Sequence, residues 1–233
     1  MLNKLHETCD IQRFNRVIRL IGEYNLQKKY FMIPDKNGIT LLSKAIVSGS
    51  FELTKILIEY CKDNLMKEDI MKFNTYYQST VFERAIYYGY LKIVNLLIEK
   101  YNLQKEDIKI IHSNGNNALY KSIYFGDIEI AKLLCIKGNV TREDILMECD
   151  DYGRTIMYRA TLLNCIDSTL LNCIDLIQLL CDIGNLTKKD IMKQMYVGVS
   201  LYDIAVEPIR QIFKKIIFKE DINGILDDII ISF

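Results

Sequence analysis

The sequence of 233 residues has no tryptophan, two prolines and two histidines, and its 30 basic and 30 acidic residues cancel to a net charge of zero. Without a basic excess the chain lacks the attraction that drives non-specific binding of nucleic acid, so nucleic acid is not expected as a partner. No apolar run approaches the roughly 20 residues of a membrane span, and the start lacks the apolar core of a signal peptide. We therefore expect a soluble chain with no membrane partner.

Paired cysteines are also missing. The seven cysteines form an odd set without a C-x-x-C motif, and most of them lie among apolar residues. This pattern is typical of small core side chains, not of disulfides or metal ligands. Reduced cysteines predict a reducing compartment, which indicates a cytoplasmic location.

Catalytic and cofactor-binding signatures are absent from the sequence. His6 and His112 lie far apart, so they predict neither a histidine–cysteine catalytic pair nor a metal site. The usual motifs for phosphate, dinucleotide and catalytic zinc do not occur. Asp150 and Asp151 lie just before Gly153, in the turn that opens a repeat. At this place an acidic side chain is expected to accept a hydrogen bond from its own backbone, so the pair does not indicate a metal site. We predict no catalytic residue, no metal, no cofactor and no enzymatic activity; an enzyme would need a catalytic group in the terminal segments.

What the sequence does contain is a short phrase that recurs five times, beginning at Gly38, Gln78, Gly115, Gly153 and Gly198. Seven positions later each copy reaches a small residue, and these are Ala45, Ala85, Ser122, Ala160 and Ala205. The spacings of 40, 37, 38 and 45 between the small residues indicate a tandem array. The longest spacing contains a direct duplication, TLLNCIDS followed by TLLNCIDL, which we expect to lengthen a helix end or to project as a loop.

Each copy predicts two short helices. Four residues after the small residue, a glycine such as Gly49 or Gly126 supplies the positive φ of a tight turn, and an apolar stripe at helical spacing follows. Gly138 is predicted to end the second helix of its repeat in a left-handed conformation. Because such short helices are marginal alone, each repeat must bury its apolar face against the next one.

A second phrase follows each pair of helices and reads NLMKEDI, NLQKEDI, NVTREDI and NLTKKDI in turn. Thr141 with Asp144, and Thr187 with Asp190, have the spacing at which a hydroxyl and an acid cap the start of a helix. The acidic residues of the phrase are therefore interpreted as helix caps, not as catalytic or metal-binding groups.

The segment DKNGITLLSKA, residues 35–45, together with the apolar helix that follows it, resembles an ankyrin repeat. The family's proline and histidine are absent, but its pattern is matched at Asp35, Gly38, Thr40, Leu42 and Ala45. The resemblance implies an all-α, ankyrin-like α-solenoid of helix-turn-helix repeats, with short third helical segments in place of β-hairpins. Divergent repeats with the K-E-D phrase are similar to those of large DNA viruses and intracellular parasites, which would place the chain in the host cytosol.

The repeats divide the chain into six predicted segments. They are a degenerate N-terminal capping repeat at 1–34, repeat 1 at 35–74, repeat 2 at 75–111, repeat 3 at 112–149, repeat 4 with the octapeptide duplication at 150–194, and repeat 5 with the C-terminal cap at 195–233. The two terminal segments are expected to depart from the pattern because one face of each meets water.

Basic and aromatic residues recur beside the small residue of the repeats. One position before it lie Lys44, Arg84, Lys121 and Arg159, which in register would form a basic ladder along one face. Two and three positions after it, the middle repeats carry Tyr87, Tyr88, Tyr124 and Phe125. In ankyrin arrays the positions after the small residue are among those on the concave side, so these eight residues are predicted to bind a partner. The alternative is that Tyr87 and Tyr124 pack between neighbouring repeats and that the cations form an ordinary solvated face.

The resemblance implies a non-enzymatic module that binds a partner protein through the concave face of its middle repeats. The basic ladder favours an acidic or mixed-charge partner surface, and a viral or parasite chain would act as a host-interaction factor. The alternative is a substrate adaptor for a ubiquitin ligase, as in similar viral proteins with an F-box-like segment after their repeats. In this chain that role would fall to the C-terminal segment.

Overall fold

The computed structural model describes residues 19, 33–60, 65–74, 76, 78–109, 117–149, 154–163, 170–193 and 198–231, with the backbone alone at 170–172 and 224–231. The chain divides into two compact units, Met1–Asp107 and Ile108–Phe233. Nearly all of the predicted capping repeat at 1–34 lies outside the described residues, and so do both histidines and the predicted turn at 150–153.

Within each unit, two helices followed by a short third helix recur along the chain. The first unit contains α1 (Leu41–Val47), α2 (Phe51–Tyr60), α3 (Lys67–Met71), α4 (Val81–Tyr87), α5 (Leu91–Tyr101) and α6 (Lys105–Ile108), whose last residue opens the second unit. The second unit contains α7 (Ala118–Tyr124), α8 (Ile128–Lys137), α9 (Arg142–Leu146), α10 (Ile156–Leu163), α11 (Leu170–Gly184), α12 (Lys188–Met192), α13 (Leu201–Ile204) and α14 (Glu207–Ile231).

The described residues contain no β-strand, and their β pairing is limited to two single antiparallel bridges, Asn74 with Ser79 and Glu148 with Thr155. The K-E-D phrases form the short helices α3, α6, α9 and α12. The predicted fold class is therefore confirmed: an all-α, ankyrin-like array of helix-turn-helix repeats with third helical segments in place of β-hairpins.

The first helix of each repeat begins at a side chain that caps it. The side-chain oxygen accepts a hydrogen bond from the backbone amide three residues later, at 2.8–3.2 Å, and the capping residues are Thr40, Thr80, Asn117, Thr155 and Ser200. At Thr80 the bond is reciprocal, because Glu83 Oε2 accepts from the Thr80 amide at 2.9 Å. Both residues are buried, so this capping box satisfies polar groups that water cannot reach.

The small residue of each repeat lies where first helices pack together. All five small residues are at most 2% exposed. Helix α1 packs on α4 in the first unit, and α10 packs on both α7 and α13 in the second. A methyl or hydroxymethyl side chain at these positions allows close approach of the helices, whereas a larger side chain would force them apart.

The octapeptide duplication coincides with the longest second helix. Helix α11 has 15 residues, against 10 or 11 in α2, α5 and α8, and it begins within the second copy of the octapeptide. Residues 164–169, which complete the first copy and open the second, lie outside the described residues. The second copy therefore extends a helix at its N-terminal end.

The prediction for Gly138 is wrong. Gly138 has right-handed torsion angles, φ −79° and ψ −1°, and the left-handed residue is the next one, Asn139, with φ 41°. Asn102 and Asn185, which open the corresponding phrases, are also left-handed. A Cβ at Gly138 would lie 2.7 Å from the Leu134 carbonyl oxygen, so glycine is needed there for close packing and asparagine supplies the left-handed turn.

Replacing Gly49 with alanine is expected to destabilise the protein more than the same change at Gly126. Both glycines have positive φ, +72° and +81°, so each alanine costs about 1–2 kcal/mol in backbone strain. At Gly49 the new Cβ would also lie 2.8 Å from the ring of Tyr90, whereas nothing lies within 4 Å at Gly126. Urea denaturation of both variants measures the difference, and equal losses would contradict the close contact with Tyr90.

Candidate protein-binding surface

In the first unit, an arginine in the last turn of α4 contacts two exposed tyrosines. Arg84 donates a hydrogen bond from Nη2 to the Tyr88 hydroxyl at 2.8 Å. Its guanidinium carbon lies 5.5 Å from the ring centre of Tyr87 and 5.0 Å from that of Tyr88. These distances allow cation–π attraction to both rings. We call Arg84, Tyr87, Tyr88 and Tyr90 the Arg84 cluster.

The rings of the Arg84 cluster also contact one another. Tyr87 and Tyr88 meet edge to face with ring centres 5.0 Å apart, and Tyr88 stacks on Tyr90 at 5.6 Å. Tyr87 is 51% exposed and Tyr88 is 36% exposed. The cluster therefore presents aromatic area to solvent on side chains whose conformations are already fixed by their neighbours.

Lys44, the basic residue of the preceding repeat, has a different role. Its ammonium group pairs with Asp35 at 2.9 Å, and Asp35 also accepts from the amides of Asn37 and Ile39. Burial opposes ionisation of Asp35, but these hydrogen bonds outweigh it and lower its pKa. Lys44 thus stabilises the turn that opens its own repeat.

In the second unit, a second arginine lies over a tyrosine of the neighbouring repeat. The guanidinium carbon of Arg159 on α10 is 4.3 Å from the ring centre of Tyr124 at the end of α7. Arg159 Nη2 also approaches the Tyr124 carbonyl oxygen at 3.4 Å. Tyr124 and Phe125 are 48% and 43% exposed and meet edge to face. We call Arg159, Tyr124, Phe125 and Tyr120 the Arg159 cluster.

The structure thus brings Arg84 together with Tyr87 and Tyr88, and Arg159 with Tyr124 and Phe125. The last predicted binding residue, Lys121, is half-buried on α7, one turn before Phe125. The Arg159–Tyr124 contact joins neighbouring repeats, as the alternative interpretation requires, yet about half of the tyrosine surface remains exposed. Packing between repeats and an accessible aromatic surface therefore coexist at this residue.

Sequence reasoning misses two aromatic residues that support the clusters. Tyr90 stacks on Tyr88, and Tyr120, which is 2% exposed, stacks on Tyr124 with ring centres 6.3 Å apart. Both residues lie within five positions of a small residue. Their aromatic character near that position is the sequence signal that could have placed them in the clusters. Their rings hold the exposed tyrosines in place.

Sequence reasoning also misses ion pairs that link successive K-E-D phrases. In the first unit, Lys67 pairs with Asp107 at 3.0 Å. The pairs of the second unit are Lys109 with Asp144, Arg142 with Asp190, and Lys188 with Asp221, which lies in a related FKEDI segment of α14 at 218–222. In each of these ion pairs the basic residue lies in a short helix or directly after it, and the aspartate follows 33–48 positions later in the sequence. The phrase therefore connects repeats in addition to starting helices.

The predicted capping role of the phrase is present as well. Asp144 accepts from the Thr141 amide at 2.6 Å, and Asp190 accepts from the Thr187 amide at 2.7 Å. Burial opposes ionisation of both aspartates, but their hydrogen bonds to the threonines and to the basic partners prevail and lower each pKa. Both carboxylates therefore stabilise the fold, as helix caps and as partners in ion pairs.

Cysteine reactivity and metal binding find no support in the described part of the chain. Burial raises the pKa of Cys135 and of Cys181 to about 12, so neither thiol forms the reactive thiolate at neutral pH. Among the described residues, no three histidine, cysteine, aspartate or glutamate side chains come together as a metal site. No helix in the same residues has both the length and the apolar character to cross a membrane.

The sequence was compared with models of known protein families. Residues 5–107 match a family model described as ankyrin repeats in three copies. No curated protein matches the sequence. Ankyrin repeats generally mediate protein–protein interaction and are typically non-enzymatic. Because the matched residues end where the first compact unit ends, and the second unit repeats the same helical pattern, the match supports an ankyrin-repeat protein.

Proposed function

We propose that the chain is a non-enzymatic interaction module that binds a partner protein through the aromatic side chains at the ends of α4 and α7 and the arginines that lie over them. The observation that carries the proposal is the pair of clusters in which an arginine lies over half-exposed aromatic rings. The exposed aromatic residues of both clusters occupy positions after the small residue, which in ankyrin arrays are among those on the concave side, and each arginine immediately precedes a small residue.

The chemistry of both clusters suits protein recognition. Tyrosine and arginine dominate the energetics of many interfaces, since a ring buries a large apolar area and a guanidinium gives directional hydrogen bonds. In the Arg84 cluster the arginine and both tyrosines already contact one another. A partner therefore meets side chains that lose little conformational freedom on binding, which favours affinity.

Replacing Arg84 and Tyr88 together with alanine tests the proposal. The wild-type chain is first used to capture a partner from cell lysate. We expect the double variant to bind that partner about 30-fold more weakly, a loss of about 2 kcal/mol. The measurement is the dissociation constant of the captured protein for each purified chain. Circular dichroism establishes that the variant is folded.

The matched control removes the same two kinds of side chain elsewhere on the first unit. Tyr76 and Lys92 are both exposed, and neither belongs to a cluster. The Tyr76→Ala, Lys92→Ala variant is expected to bind like the wild type. Equal affinity of the two double variants for the captured partner would exclude the Arg84 cluster as the binding surface.

The alternative of a ubiquitin-ligase adaptor depends on the C-terminal segment, and no observation on the described residues favours it. Helix α14 buries Ile209 and Phe213 completely and packs on α11 and α12. These contacts support the prediction that the C-terminal segment caps the repeats. A host protein as the partner remains a prediction from the sequence resemblance.

A further inference from the structure

In the described part of the second unit, Arg142 and Arg210 each have a carboxylate close to the guanidinium. Arg142 pairs with Asp190, and Arg210 lies 3.7 Å from a carboxylate oxygen of Glu207. For Arg159, the contacts within the described residues are the ring and the carbonyl oxygen of Tyr124. Its buried Nε, like that of Arg210, has no hydrogen-bond partner among these residues. Its positive charge is therefore not balanced by a carboxylate in the described part of the chain.

Arg210 shows how the same chain completes a similar arrangement. Its guanidinium carbon lies 5.6 Å from the ring centre of Tyr202, as Arg159 lies over Tyr124, but the Glu207 carboxylate accompanies it. A guanidinium has a fork of donors that fits a carboxylate in two parallel hydrogen bonds. The Arg159 cluster therefore also has an arginine over a tyrosine ring, but no carboxylate of the described residues accompanies it.

The neighbours of Arg159 indicate what else the ligand carries. Tyr124 and Phe125 expose nearly half of their surfaces beside the guanidinium, and Tyr120 stacks beneath Tyr124. Burial of these rings requires an apolar or aromatic group close to the acid. Because Tyr124 already positions the arginine, binding costs little side-chain ordering.

We propose that the Arg159 cluster binds an acidic segment of a partner protein, with an aspartate or glutamate carboxylate on Arg159 and an adjacent apolar side chain on Tyr124 and Phe125. The inference rests on the proposed function, since it names the chemistry of the partner at one of the two clusters. A single guanidinium among aromatic rings favours a carboxylate over a phosphorylated residue, because phosphate recognition typically uses several arginines together.

The test is selection of short random peptides displayed on phage against the purified full-length chain. We expect enriched peptides to carry aspartate or glutamate beside an apolar residue. Synthetic copies of them should bind Arg159→Ala roughly tenfold more weakly than wild type, since charge-assisted bonds contribute about 1.5 kcal/mol or more. Arg159→Lys, which keeps the charge and loses the fork, should give an intermediate affinity.

Arg210→Ala is the matched control, because it removes an arginine that already has its carboxylate, and we expect unchanged peptide affinity. Enriched peptides that lack acidic residues but lose affinity for Tyr124→Ala would overturn the acidic ligand while leaving a protein-binding surface in place. Enriched peptides whose copies bind Arg159→Ala as tightly as wild type, or bind more tightly once phosphoserine replaces the acidic residue, would also overturn it. Failure to enrich any peptide would overturn the inference, whereas the proposed function is decided separately by the Arg84 and Tyr88 variant.

Discussion

Replacing Phe82 with alanine is expected to lower the free energy of unfolding by about 3–5 kcal/mol. Phe82 lies on α4 and is 0% exposed. With Phe213, it has the largest of the fully buried side chains among the described residues. Its removal loses the transfer free energy of the ring and leaves a cavity that the surrounding helices fill only in part. The measurement is equilibrium urea denaturation followed by circular dichroism.

The matched control for Phe82 is another aromatic residue of the same helix. Tyr87 is 51% exposed, so Tyr87→Ala should change the free energy of unfolding by about 1 kcal/mol or less. The contrast separates core packing from aromatic content and helix propensity, which change in similar ways in both variants. A loss at Phe82 no larger than the loss at Tyr87 would contradict complete burial of Phe82 in the core.

The effect at Phe82 follows from the way in which repeats share a core. A single repeat has helices of 10 or 11 residues at most in the first unit, too short to be stable in water by themselves. Helix α4 packs on α1 and on α5, so its core residues stabilise the preceding repeat as well as their own. A cavity at one position is therefore felt across a repeat boundary.

The features of the fold that the sequence predicts are those set by local spacing. A small residue at a fixed distance from the start of the phrase, as at Ala45, recurs in every copy. Repetition makes each weak local signal reliable, because five copies agree on the register. The third helices follow from the same logic at Thr187 and Asp190.

The features that the sequence does not predict depend on contacts between repeats. Lys109, which follows the phrase, pairs with Asp144, whereas Arg142 inside the next phrase pairs with Asp190, and no local spacing distinguishes the two choices. Likewise, the register places Arg159 and Tyr124 on related faces but does not show that the guanidinium covers the ring. Such pairings depend on how one repeat is rotated against the next.

Glycine positions show a further limit. Gly138 and Asn139 are both residues that end helices, and the sequence alone does not decide which of them is left-handed. The decision comes from tertiary packing, because a Cβ at Gly138 would also lie 3.2 Å from the Ile108 side chain. Glycine therefore occupies position 138, where there is no room for a Cβ. Asparagine occupies position 139, because it tolerates the left-handed conformation better than any residue other than glycine.

Replacing Asp190 with alanine is expected to lower the free energy of unfolding by about 2–4 kcal/mol. Asp190 accepts from the Thr187 amide at 2.7 Å and from the Thr187 hydroxyl at 2.5 Å, and it pairs with Arg142 of the preceding phrase. One substitution therefore removes a helix cap and a link between repeats. Asp190→Asn, which keeps an acceptor for the amide but loses the charge, should fall between alanine and wild type.

Asp175 provides the control for a lost aspartate in the same unit. Its carboxylate is 65% exposed and lies 3.8 Å from Lys132, so this ion pair is weakened by water and salt. Asp175→Ala should change the free energy of unfolding by about 0.5 kcal/mol or less. Equal losses at the two positions would show that Asp190 stabilises the fold no more than an ordinary surface charge.

The stability difference between wild type and Asp190→Ala should also depend on pH. The hydrogen bonds of Asp190 lower its pKa from the ordinary value of 3.8 despite burial, so the unfolded chain takes up a proton at a higher pH than the folded chain. The stabilisation is therefore complete above about pH 5 and is lost as the pH falls through the folded-state pKa. Urea denaturation at decreasing pH should bring the two chains together below pH 3.8. A gap that stays constant into that acidic range would mean that the charge of Asp190 contributes nothing and that its side chain acts by shape alone.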